Sequence, residues 1–256
     1  MDIHNIISWQ PREAFHSFGD EDKFLVDFFN KKNGYLIDIG AADGVTGSLS
    51  YKLLNSLSWK GILIEPIPMH VEQLKKLYSG NKNIKISEKA VFANKDEVDF
   101  TLVEYANIGL SHIKDVSDYP DLSNIKSKFI KIKGDTIINI LHENNCPEEI
   151  DYVKIDVEGS ESYILDNWDF TKYKVKLFCI ENGEKYFDFF IKNSYVLLIP
   201  KVKKYFYYQH NFTKKIWKNF GKLEIPTYDF VHGNAFYIEK KYINNFITKK
   251  FTIKNS

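Results

Sequence analysis

The stretch Leu36-Ile37-Asp38-Ile39-Gly40-Ala41-Ala42-Asp43-Gly44 carries an apolar run into a loop of small residues. A second apolar run, Gly61-Ile62-Leu63-Ile64-Glu65-Pro66, ends on a carboxylate. Paired in this way, a glycine turn and an acid at the next strand tip form one side of a nucleoside site in a Rossmann-like sheet. The glycines permit close backbone approach, and the acid accepts hydrogen bonds from both ribose hydroxyls. The loop reads D-x-G-x-x-x-G, not the G-x-G-x-x-G that cradles a pyrophosphate. A phosphate-free adenosyl cofactor therefore fits, and S-adenosylmethionine is the one expected.

The 256 residues suffice for one sizeable α/β core. Basic and acidic side chains, 35 and 34, nearly cancel, so no global field recruits nucleic acid or a membrane. Cys146 and Cys179 form no zinc-ligand pattern, and Cys179 sits in the apolar run Lys176-Leu177-Phe178-Cys179-Ile180, where a buried free thiol is expected. No apolar run approaches the roughly 18 residues of a membrane span. The start Met1-Asp2-Ile3-His4-Asn5 lacks the charged and apolar regions of a signal peptide, so a cytoplasmic location is expected.

Three segments are expected: a helical extension over 1–33, a main domain over 34–240 and a tail over 241–256. Phe24, Leu25, Phe28 and Phe29 recur at helical spacing, with Asn33-Gly34 as a stop. Strands are then expected at Tyr35–Ile39, Gly61–Glu65, Ile84–Ile86 or Ala90–Phe92, Ile150–Ile155 and Lys176–Glu181. Helices are expected at Ser48–Ser56, Met69–Tyr78, Thr136–Glu143 and Tyr186–Lys192. Strand–helix–strand repeats with short loops mean parallel pairing through right-handed crossovers. Asp99–Val103 reads as an extra strand, and Glu104 to about Ser127 as a long polar loop. Tyr195–Ile199 and Ala235–Glu239, with no clear helix between them, suggest an antiparallel pair at one sheet edge.

Ligands of an open α/β sheet sit beyond the carboxyl ends of its strands. Asp38, Glu65, Asp156 and Glu181 stand at four such ends and would converge on one crevice. In Asp156-Val157-Glu158-Gly159-Ser160-Glu161, Ser160 could cap the next helix and Glu161 complement its dipole. Asp156 and Glu158 could orient an acceptor, help deprotonate it, or hold a divalent ion. His112, in Asn107-Ile108-Gly109-Leu110-Ser111-His112, is a further base candidate. Lys201–Lys222 interleaves lysines with aromatics. It reads either as a nucleic-acid or membrane strip or as an edge hairpin whose lysines block edge pairing.

At these residues the chain resembles the FkbM family of S-adenosylmethionine-dependent methyltransferases. The likeness is carried by Ser17-Phe18-Gly19-Asp20-Glu21-Asp22-Lys23-Phe24-Leu25, Asp38 to Thr46, Trp59 to Pro66, Ile150 to Glu161, and Gly233-Asn234-Ala235-Phe236. In the turn after the glycine loop this chain has Ser48-Leu49-Ser50 where relatives often carry Ser-Asn-Thr. The resemblance implies a class I methyltransferase fold, with a mostly parallel seven-stranded sheet and an antiparallel last strand. It implies methyl transfer to a hydroxyl of a sugar, polyketide or glycan-like product. Asp38, Gly40, Ala41, Asp43 and Gly44 would face the methionine part of the cofactor, Glu65 and Pro66 the ribose, and Ala90 and Val91 the adenine.

The expected protein is thus an O-methyltransferase acting on a saccharide or other small hydroxylated acceptor. Asp156 and Glu158, with His112, lie on the acceptor side, and a divalent metal is an open possibility. Two rival readings are RNA methylation docked through Lys201–Lys222 and a non-catalytic binding module on the same fold.

Overall fold

The apolar runs become strands buried on both faces, because alternate side chains enter two different cores. The structure, a computed structural model, describes residues 16–17, 19–93, 95–103, 110–114, 126–200, 222–225, 234–243 and 252–254. The first half runs α1 (Glu21–Phe29), β1 (Tyr35–Ile39), α2 (Tyr51–Ser56), β2 (Lys60–Ile64), α3 (Pro68–Leu77), β3 (Ile84–Ser87) and β4 (Ala90–Val91). Next come β5 (Lys95–Val103), β6 (His112–Ile113), β7 (Ser127–Asp135), α4 (Ile137–Glu143), β8 (Glu149–Ile155) and α5 (Glu161–Asp166). The last part holds β9 (Lys174–Ile180), α6 (Phe187–Lys192), β10 (Tyr195–Pro200), β11 (Lys222–Ile225), β12 (Ala235–Glu239) and β13 (Thr252–Lys254).

One sheet has the order β13-β11-β10-β12-β9-β8-β1-β2-β3. The run from β3 to β9 is parallel, and β12 is antiparallel to both β9 and β10. The expected seven strands are therefore present, with the antiparallel last strand. The sheet as a whole is mixed and extends to nine strands, because β11 and β13 add beyond β10. The pair β10–β12 is antiparallel as expected, but β11 displaces it from the sheet edge. Strand order reverses between β1 and β8, where crossovers leave the sheet in opposite directions and open a crevice.

Leu36 enters one core with Tyr152, Leu177, Cys179 and the α1 side chains Phe24, Leu25, Phe28 and Phe29. Ile37 and Ile39 enter the other, with Val153, Ile155, Phe178, Ile180 and the α4 and α5 side chains Ile140, Leu141 and Ile164. Helix α1 therefore belongs to the main core, and Tyr242 and Ile243 from the expected tail pack against the same core. Helix α2 starts at Tyr51, later than expected, because Ser48 Oγ accepts from the Ser50 and Tyr51 amides and holds a turn there.

A second sheet, in the order β4-β7-β5-β6, stands apart with its own small core of Val98, Phe100, Ile113 and Ile132. Both sites weighed for the third strand are strands: Ile84–Ser87 in the main sheet and Ala90–Val91 in this one. The extra strand expected at Asp99–Val103 is the end of β5. Strand β7 has no counterpart among the expectations, although Ile130-Lys131-Ile132-Lys133 alternates with the period of a strand. Residues 201–221, which hold nearly all of the expected basic-aromatic hairpin, lie outside the described residues.

Trp59, fully buried, is the largest side chain tying α1 to the sheet. Its indole donates to the Lys31 carbonyl at 3.1 Å, and its ring meets Phe29 edge-on. Gly34 is glycine for the same reason: a Cβ there would come within 2.5 Å of that ring. Trp59→Ala is expected to cost about 3–5 kcal/mol, measured by denaturant unfolding; a loss under about 1 kcal/mol would show that α1 docks by other contacts.

Candidate active site

The carboxyl ends of β1, β2, β8 and β9 surround a cavity of about 740 Å³, within the usual range of small-molecule sites. All four strand-tip acids, Asp38, Glu65, Asp156 and Glu181, line it, as do Gly40, Ala41, Asp43, Pro66, Ala90, Val91 and Glu158. The second sheet and the segment before it add Phe100, Leu110, Ser111 and Ile113, and the approach to β12 adds Asn234.

Gly40 makes this convergence possible. Its φ is +82°, and a Cβ there would lie 1.8 Å from the Asp156 carbonyl oxygen. Any side chain would force the ends of β1 and β8 apart. Gly44, at φ +77°, is required for a different reason: a Cβ would meet Leu74 on α3 at 2.6 Å. Gly44 is not part of the cavity wall; it closes the turn against α3. Asp43 holds the turn by accepting from the Val45 and Thr46 amides at 2.8 and 2.7 Å. Ala42 and Glu158 both adopt positive φ, 48° and 57°, conformations that cost energy outside glycine and cluster at functional sites.

Glu65 is buried, and both its oxygens are aimed by backbone amides. Oε2 accepts from Ala42 N at 2.9 Å and Oε1 from Ile67 N at 2.8 Å. Each carboxylate oxygen offers two lone pairs, so acceptor capacity remains for a diol. His70 on α3, a wall residue absent from the expectations, places Nδ1 3.8 Å from Glu65 Oε1. Asp38 is 2% exposed, and its Oδ1 has no hydrogen-bond partner among the described residues. A buried carboxylate oxygen left in that state suits a ligand that donates, such as an ammonium. The donor and acceptor set thus fits an adenosyl amino acid without phosphates: an acceptor for the amine, an acid for the ribose and apolar Ala90 and Val91 beyond it.

Between the two carboxylate groups lies Lys154, which the sequence reading passed over. Its Nζ stands 3.0 Å from Asp156 Oδ2, 3.6 Å from Asp38 Oδ1 and 3.2 Å from the Gly40 carbonyl. Burial alone would lower its hold on the proton, but Asp156 and Asp38 more than offset that and raise it above the ordinary lysine range. Burial also raises Asp38, and Lys154 works against the rise.

Carboxylate oxygens of Asp156, Glu158 and Glu181 lie within 4.8 Å of one another. Burial, with Asp156 and Glu158 beside it, pushes the Glu181 carboxyl from the ordinary 4.5 up to about 10, so it keeps its proton at neutral pH. That proton and the Lys154 ammonium already balance part of the cluster's charge. No step below passes through a metal.

Two expected roles find no geometry here. His112 does not line the cavity, although Ser111 and Ile113 on either side of it do. Strand alternation turns it away, and its Nδ1 lies 2.9 Å from the Leu110 carbonyl. Ser160 occupies the N-cap of α5 but makes no side-chain capping bond. Glu161 does the local work instead, accepting from the Val157 and Gly159 amides at 3.3 and 3.1 Å.

A carboxyl raised in the folded state binds its proton more tightly there than in the unfolded chain. The stability Glu181 contributes is full below its ordinary 4.5 and is lost as pH rises through about 10. Glu181→Gln cannot ionise, so it is expected to flatten the fall in stability between about pH 6 and about pH 9, by at most about 1.4 kcal/mol per pH unit. Urea unfolding across that range measures it; an unchanged slope would contradict the assigned proton.

Residues 38–218 match the family model of the methyltransferase FkbM domain. No curated protein matches the chain at a significant level. Among solved structures, the chain is similar to precorrin-6y C5,15-methyltransferase from Geobacter metallireducens GS-15, 13% identical over 85% of each chain, with a TM-score of 0.38. It is also similar to the METTL16 MTase domain, 11% identical over 86% of this chain and 66% of that one, with a TM-score of 0.40. A third is a SAM-dependent methyltransferase from Thiobacillus denitrificans in complex with S-adenosyl-L-homocysteine, 10% identical over 73% of this chain and 70% of that one, with a TM-score of 0.32. The family match spans most of the chain and begins on Asp38, the first acid of the cavity. The chain belongs to the FkbM family of S-adenosylmethionine-dependent methyltransferases.

Proposed function

We propose that this enzyme methylates a hydroxyl of a saccharide or another small hydroxylated acceptor. The observation that carries this reading is the meeting of four strand-tip acids in one cavity, two suited to the cofactor and two to the acceptor. When bound, S-adenosylmethionine supplies a methyl group on a sulfonium, open to in-line attack by an oxygen. Asp38 accepts from the amine and Glu65 from the ribose hydroxyls, with Gly40, Ala41, Asp43 and Pro66 shaping the same wall and Ala90 and Val91 beside the adenine. Fixing donor and acceptor in line supplies most of the acceleration such a displacement needs.

On the other side, Asp156 and Glu158 receive the acceptor hydroxyl and take its proton as the C–O bond forms. Glu181, which carries its own proton, donates toward Asp156 or the acceptor and keeps the cluster from bearing three charges. Phe100, Leu110 and Ile113 add apolar surface to the same cavity as the acids, a combination suited to the polar edge and apolar face of a sugar ring. The same acids oppose a phosphodiester, which disfavours RNA. No helix among the described residues is long and apolar enough to cross a membrane.

Asp38→Ala or Glu65→Ala is expected to weaken S-adenosylhomocysteine binding by about tenfold or more, about 1.4 kcal/mol, in calorimetry; unchanged affinity would remove either residue from the site. Radiolabelled methyl transfer to a panel of neutral saccharides and small alcohols tests the acceptor class. Label is expected as an alkali-stable ether, with Asp156→Asn lowering turnover more than cofactor affinity. Transfer to RNA or to amines instead would overturn the reading.

A further inference from the structure

Lys154 occupies a position that the fold does not explain. It lies in the central strand β8 between Val153 and Ile155, both fully buried, and its own side chain is 9% exposed. An aliphatic residue would serve packing better, since a buried ammonium is costly unless paired. Strand register sets it in one row with Asp38 of β1 and Cys179 of β9. From there its three polar contacts reach Asp38, the Gly40 carbonyl and Asp156, each on the wall of the same cavity. The wall's other lysine, Lys89, is tied to Asp135 and Glu143.

The groups around Lys154 come from several elements. Asp38 stands on β1, Tyr152 and Asp156 on β8 and its end, Cys179 and Glu181 on β9 and its end, and buried Glu21 on α1. Burial holds the Tyr152 hydroxyl and the Cys179 thiol in their neutral forms, so neither replaces the cation. We infer that Lys154 is a positioning residue that couples the two halves of the site, keeping Asp38 charged and aimed at the cofactor amine and Asp156 charged and aimed at the acceptor. It rests on the cofactor placement proposed above. The contact of Lys154 with the Gly40 carbonyl holds the same ammonium in place between the two acids.

The test is calorimetric titration of the full chain with S-adenosylhomocysteine from about pH 5.5 to about pH 8.5. The proteins compared are wild type, Lys154→Met, Asp38→Asn and the double variant. Without the ammonium, Asp38 takes up a proton at higher pH. The fall in affinity on acidification should therefore begin about one pH unit higher in Lys154→Met than in wild type. The double variant should bind as Asp38→Asn does, with no added loss, because Lys154 acts through that carboxylate. A Lys154→Met protein with the wild-type profile, or one weakened by the same factor at every pH, would overturn the inference. So would losses that simply add in the double variant. If Lys154→Met fails to fold, Lys154→Gln, which keeps a polar end without the charge, replaces it in the same titration. Wild type that binds no S-adenosylhomocysteine would instead refute the cofactor placement.

Discussion

At Gly40 the ends of β1 and β8 leave no room for a side chain, the space for its missing Cβ being taken by the Asp156 carbonyl oxygen. Everything in the site follows from that closeness. It lets the β1 acid and the β8 acid share one lysine, and it opens the crevice at the point where strand order reverses. A single methyl group at position 40 would push the ends of β1 and β8 apart, and with them Asp38 and Asp156. The constraint is one of space before it is one of chemistry.

The cavity's electrostatics then follow from too many acids in too little water. Four carboxyl groups at neighbouring strand ends cannot all ionise freely. The structure resolves the conflict with one buried ammonium between Asp38 and Asp156 and one retained proton on Glu181. Glu65 is held by two backbone amides, from Ala42 and Ile67, that point at it. The outcome is a set of groups held in different ways: one carboxylate by two amides, two beside a shared ammonium, and one that keeps its proton.

Much of this was legible in the sequence because it depends on local pattern. The D-x-G-x-x-x-G turn, the acid after each apolar run and the strand–helix rhythm are short-range signals, and they gave the central sheet and four converging acids. Lys154 was hidden because a lone lysine in an apolar strand reads as a solvated residue until register places it beside Asp38. His70 escaped notice because its link to Glu65 passes through the fold of α3. His112 was overvalued, since only strand alternation in the second sheet decides that Ser111 and Ile113 face the cavity in its place. Ser160 looked like a helix cap, but its side chain makes no capping bond, while Glu161 accepts from the Val157 and Gly159 amides ahead of the helix. Strand β7 was missed although its alternation was on view, because its lysines made it look like loop.

A crystal structure of the protein grown with S-adenosylhomocysteine tests the central claim most directly. The account predicts density in the crevice between β1 and β8, with the ribose hydroxyls on Glu65 and the amine on Asp38. A ligand bound elsewhere, or Asp38 and Glu65 both turned away from it, would contradict the account.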